Sequence, residues 1–125
     1  MATSIAVDNS ILPNGADVTN REQFYTGTIT LSGNYGGASS HGDTLSFANS
    51  NIISNSVPIK VEIYEQPAAG TAPSFYTAVY QIGTTIANGA VNFALAGTEY
   101  TQASAYSGAI ASAVWKFRAW FPLGR

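Results

Sequence analysis

The chain is 125 residues long with no cysteine and a formal net charge of -2. That length suits one domain around one hydrophobic core, and the missing thiols exclude a disulfide framework, a cysteine nucleophile and thiolate metal sites. Charged residues make up 10% of the chain and apolar residues 46%, against about 25% charged residues in an ordinary soluble protein, so a mostly neutral surface is expected, made polar by Ser, Thr, Asn and Gly.

In chain order, residues 1–22 mix turn formers (Asp8-Asn9, Pro13-Asn14-Gly15, Asp17) with isolated Ile5, Val7, Ile11 and Leu12. They read as an extended N-terminal arm ahead of a single β domain over 23–125, with an edge strand Ser4 to Asp8 as the alternative. From Tyr25 the period is two: Tyr25, Gly27, Ile29 and Leu31 alternate with Thr26, Thr28, Thr30 and Ser32, which predicts a half-buried strand. A glycine loop, 33–42, follows, and Leu45 and Phe47 then share one face. Val57, Ile59, Val61 and Ile63 alternate with Pro58, Lys60, Glu62 and Tyr64, giving the clearest strand, with Pro58 near its start or at an edge. Phe75 to Ile82 is aromatic and β-branched. Asn88-Gly89 predicts a type I′ hairpin between Thr84–Ala87 and Ala90–Leu95. Residues 98–113 read as irregular with one helical turn on Tyr106, Ile110 and Val114. The last strand puts Ala113, Trp115, Phe117, Ala119 and Phe121 on one face and Val114, Lys116, Arg118 and Trp120 on the other.

About seven short strands with turn chemistry between them and no sustained helical period predict an all-β fold, an antiparallel β-sandwich of jelly-roll or Greek-key type. No run of Lys or Arg supplies the footprint that holds phosphate backbones, so nucleic acid is not expected as a direct partner. No stretch approaches 18 apolar residues and Met1 to Leu12 lacks the two halves of a signal peptide. Synthesis in a cytoplasm and no membrane partner are expected.

The search for chemistry yields little. Ser39, Ser40, His41 and Asp43 offer a serine, a base and a carboxylate, but sequence neighbours rarely converge on one reacting atom. One imidazole and no thiolate do not make a zinc site. An oxygen-only calcium site on Asp43 or Asp17 would need loop carbonyls, and a glycosidase pair would have to come from Glu62, Glu65, Glu99 and Asp43. The expectation is a protein without catalytic residues, metal or cofactor. Aromatic residues carry more: Trp120 shares its face with Lys116 and Arg118, whose guanidinium is expected to pack over the indole. Tyr, Trp and Arg dominate protein interfaces, so Tyr35, Tyr64, Arg118 and Trp120 are the expected protein-docking residues.

Thr28-Ile29-Thr30-Leu31-Ser32-Gly33-Asn34-Tyr35, a glycine loop, Gly42-Asp43-Thr44-Leu45-Ser46-Phe47 and a Pro58-bearing strand follow one another in that order. This order, with the closing Trp115-Lys116-Phe117-Arg118-Ala119-Trp120-Phe121, resembles small structural proteins of tailed bacteriophages, notably capsid decoration or cement proteins. The resemblance implies a virion protein on the outer surface of the head, often a homotrimer, that binds the major capsid protein and stabilises contacts between its subunits. The alternative is a carbohydrate- or receptor-binding β module of a phage tail or fibre, with Trp120, Tyr64 or Tyr35 as a platform for sugar rings.

Overall fold

In a computed structural model the protein is described over residues 3–7, 16–18, 22–36, 42–49, 51–52, 54–101 and 104–122. Two antiparallel sheets pack face to face, as the strand pattern predicts. The larger sheet runs β1 (Thr3–Val7), β3 (Glu22–Leu31), β9 (Trp115–Pro122) and β5 (Lys60–Glu65), with β2 (Ala16–Val18) on the other half of the β3 edge. The smaller sheet runs β4 (Asp43–Leu45), β7 (Gly89–Leu95) and β6 (Tyr76–Gln81), with the two-residue β8 (Thr98–Glu99) also on β7.

The period-two alternation explains the packing. On β9, Trp115, Phe117, Ala119 and Phe121 are buried while Lys116, Arg118 and Trp120 point outward. On β3, Tyr25 and Ile29 are buried beside them, and the two strands pair from Glu22 opposite Pro122 to Ile29 opposite Trp115. Phe47 closes the centre of the core, edge-on to Tyr80, Phe117 and Phe121 at 5.2–5.6 Å, and its N–H donates to the Ile86 carbonyl. Edge-to-face pairs of this kind add to the apolar burial that drives the sheets together.

Several expectations are corrected. The described parts of residues 1–22 are strands, not a free arm: Thr3 to Val7 pairs with Leu31 to Gly27, and Ala16 to Val18 with Tyr25 to Gln23. Ile5 and Val7 pack on the core and the buried Thr3 hydroxyl donates to the Thr44 carbonyl, so the apolar side of this segment is used within its own chain. The alternative reading, an edge strand near Ser4 to Asp8, describes β1 well. The segment 57–59 precedes β5 rather than opening it, and Ile59 is half exposed.

The Asn88-Gly89 hairpin is also corrected. β6 and β7 pair with Gln81 opposite Ala90, so 82–88 form one longer loop and Thr84–Ala87 is not a strand. Asn88 closes that loop with its side chain, accepting from the Thr85 N–H and donating to the Thr84 hydroxyl. A two-residue hairpin does occur one strand later: Leu95 pairs with Thr98 around Ala96-Gly97, and both central residues have positive φ (52° and 84°), as a type I′ turn requires. The predicted helical turn, α1 (Gly108–Ala111), is capped by Ser107, whose hydroxyl accepts from the Ile110 N–H. It buries Ile110, whose carbonyl accepts from the Trp115 indole N–H at 3.1 Å.

Candidate docking face

Among the described residues, the outer face of the larger sheet brings together the cationic side chains Lys60, Lys116 and Arg118 with Phe24, Tyr64 and Trp120. β9 lies between β3 and β5, and its register sets Lys60 opposite Trp120, Glu62 opposite Arg118 and Tyr64 opposite Lys116. Phe24 on β3 lies opposite Trp120 on the other side. Facing side chains on one sheet face are close enough to interact, and here they do. The Phe24 and Trp120 rings lie 4.9 Å apart, and the Lys60 ammonium sits 5.3 Å from the centre of the indole.

Trp120 is therefore paired with Lys60 from β5, not with Arg118 as the sequence suggested. Arg118 reaches diagonally across to Tyr64, with its guanidinium carbon 4.7 Å from the ring centre. Glu62 lies between the two cations, 3.2 Å from Lys60 Nζ and 3.6 Å from Arg118 Nη1. Lys116 donates to the Thr28 hydroxyl at 2.9 Å. The ion pairs are well exposed and contribute at most about 1 kcal/mol each, and the cation–ring contacts about 0.5–1 kcal/mol each. Together they link Lys60, Glu62 and Arg118 to one another and to the two rings across β5 and β9. At the far end of the face the register brings Asp17 opposite Phe24 and Glu22 opposite Pro122.

Three of the four expected interface residues, Tyr64, Arg118 and Trp120, thus share this face. The fourth does not. Tyr35 is fully buried, its hydroxyl donating to Glu99 at 2.8 Å and accepting from the Phe93 N–H at 3.1 Å. Its ring meets Phe93, Tyr100 and Tyr106 edge-on, and burial pushes its hydroxyl well above the ordinary tyrosine range. Tyr35 is a core residue at one end of the sandwich and has no surface to dock with. Lys60 and Phe24, which the sequence did not single out, join the other three on this face. The face of Lys60 was readable from the alternation of β5, but not the strand beside it.

Of the carboxylates considered for chemistry, Asp43, Glu62, Glu65 and Glu99 each have a structural partner. Asp43 is 2% exposed; one oxygen accepts from the Gly36 N–H at 2.8 Å and the other from the Tyr106 hydroxyl. Those contacts tie the turn after β3 and the segment before α1 to β4, so Asp43 is committed to the fold and not offered to a calcium ion. Desolvation by burial raises its pKa above the usual 3.8, partly offset by the Gly36 hydrogen bond. Glu65 accepts from both the N–H and the hydroxyl of Ser74, and Glu62 bridges two cations. Ser39, Ser40 and His41 lie outside the described residues. A pocket of about 190 Å³ lies between the 66–74 loop and residues 109–114. Glu65, the charged residue in its lining, is the one held by Ser74. No group of three or more His, Asp or Glu that could hold a metal ion occurs among the described residues.

Comparison with protein-family models, with curated protein sequences and with solved structures finds no match for this chain.

Proposed function

We propose that the protein is a virion structural component, a capsid decoration or cement protein that docks on the outer surface of a phage head and stabilises contacts between major capsid protein subunits. The observation that carries this reading is the ordered strip on the outer face of the larger sheet: Phe24, Trp120 and Lys60, then Glu62, Arg118 and Tyr64. Tyr, Trp and Arg held in place lose little conformational freedom on binding, which is why such residues dominate protein interfaces. With few other charges in the chain, the remaining surface is inexpensive to desolvate.

The same strip argues against the alternative of a sugar-binding module. Sugar rings stack on an open aromatic face, whereas Arg118 lies over the Tyr64 ring and Trp120 is shared between Phe24 and Lys60. Purified protein incubated with undecorated heads of the virus that encodes it is expected to bind saturably, and Trp120→Ala or Arg118→Glu to weaken binding by roughly 10-fold to 100-fold, as loss of an interface anchor does. Absence of binding to those heads would overturn the reading. Retention by one glycan on an array, lost with Trp120→Ala, would favour the alternative.

A further inference from the structure

Charge is unevenly placed on this molecule. Of the five Lys and Arg residues in a chain of net charge -2, Lys60, Lys116 and Arg118 stand together on the outer face of the larger sheet. β6 and β7 of the other sheet carry no charged residue. Among the described residues the three cations share one carboxylate, that of Glu62, 3.2 Å from Lys60 Nζ and 3.6 Å from Arg118 Nη1. Asp17 and Glu22 lie at register positions toward the β2 end, opposite Phe24 and Pro122. Strand spacings set both more than about 10 Å from Arg118, roughly one Debye length in 0.1 M salt. The half of the face built by β5 and β9 therefore carries an excess of positive charge.

Arg118 also has donors to spare. Its guanidinium carbon lies over the Tyr64 ring, and its approach to Glu62 is longer than a hydrogen bond. A guanidinium packed against a ring through its flat face keeps its N–H edges available, in a fork that matches a carboxylate. Lys116 gives the Thr28 hydroxyl one donor of the three that an ammonium holds. The two residues are neighbours on the outward side of β9, so roughly 7 Å separates their backbone positions.

We propose that the surface covering this face is an acidic protein surface, presenting one carboxylate to the Arg118 fork and a second, about 7 Å away, to Lys116. This partner chemistry rests on the docking reading of the same face. A neutral surface laid over Arg118 and Lys116 would strip water from two cations and return no opposite charge, which is strongly unfavourable. A basic surface would add repulsion to that cost. A phosphate backbone fits less well than a pair of carboxylates, because Glu62 stands between two of the cations and a phosphate backbone is held by cations set in series.

Binding of the full chain to undecorated heads, followed from about 50 mM to about 500 mM NaCl, tests the acidic partner. Screening is expected to weaken binding at least roughly tenfold over that range, mainly through the association rate. Lys116→Glu should weaken binding at low salt and flatten its salt dependence. Glu62→Gln should speed association roughly threefold, since it removes the negative charge that lies among the cations. Trp120→Ala should weaken binding and leave the salt slope as it was. Should Lys116→Glu not give a cooperative thermal transition, Lys60→Gln at an exposed position provides the same test. Binding indifferent to salt, or slower association of Glu62→Gln than of the unaltered chain, would overturn the acidic partner and leave docking to heads standing. No binding at any salt would remove both. Salt-sensitive retention on double-stranded DNA, with none on heads, would assign the face to phosphate and overturn the acidic protein partner.

Discussion

Gly89 shows how a residue chosen for one reason serves another. It reads as the positive-φ member of an Asn-Gly turn, yet it opens β7 opposite Leu45. Glycine stands there because of crowding: a Cβ on Gly89 would collide with the hydroxyl and ring of Tyr80. The Tyr80 hydroxyl is itself buried without a hydrogen-bond partner among the described residues, and burial raises its pKa to about 12. Gly89→Ala is therefore expected to destabilise the protein by roughly 1–3 kcal/mol, the usual cost of overpacking, as measured by urea unfolding. Tyr80→Phe alone should be neutral or mildly stabilising, since it removes a buried polar atom that lacks a partner. In combination it should recover part of the Gly89→Ala loss, because the hydroxyl goes while the ring stays. Full additivity of the two changes would show that they do not share the site.

Among the elements, the alternating strands were legible because burial on one face forces period two, and β3 and β9 carry it over many residues. Hairpin geometry was less legible. Asn-Gly is locally the better type I′ sequence, but the chain makes that turn with Ala96-Gly97 and uses Asn88 to brace a longer loop. The pairing of Gln81 with Ala90 overrides the local preference, in a register that buries Val91 and Phe93 and packs Tyr80 against the core. The clasp joining β4 to the turn at Gly36 and to Tyr106 was not visible at all, since its Asp43–Tyr106 hydrogen bond spans 63 residues. It has a pH signature. Asp43 holds its proton to higher pH folded than unfolded, so its contribution to stability is full below the unfolded value of 3.8 and is lost as pH rises through the raised native value. Tyr80 acts likewise from 10.0 to about 12. Urea midpoints should therefore decline on the alkaline side above pH 10, and Asp43→Asn should flatten the acid-side dependence that begins near 3.8. An acid limb unchanged in Asp43→Asn would remove Asp43 as its source.

For the molecule as a whole, the sequence indicated which residues face outward on each strand but not which strands lie side by side. Arg118 and Trp120 were correctly assigned to one outer face; their aromatic and cationic partners, Tyr64 and Lys60, come from β5, more than fifty positions earlier. Tyr35 was misjudged for the same reason, as its contacts with Phe93 and Glu99 lie 58 and 64 residues away. In a glycine-rich loop nothing local marks a tyrosine as buried. The result is a molecule with a charged, aromatic outer face on one sheet and a neutral one on the other, separated by an aromatic core.

The two tryptophans are divided between these regions. Trp115 is 1% exposed, edge-on to Phe93 and hydrogen-bonded to a backbone carbonyl, while Trp120 lies half-buried beside Lys60 on the outer sheet face. The chain thus has two tryptophan fluorophores with different sensitivities. Emission from the Trp120→Phe variant should be blue-shifted, resist quenching by iodide and change only when the fold melts. That of the Trp115→Phe variant should be quenched by iodide, and be shielded from it when the outer face is covered.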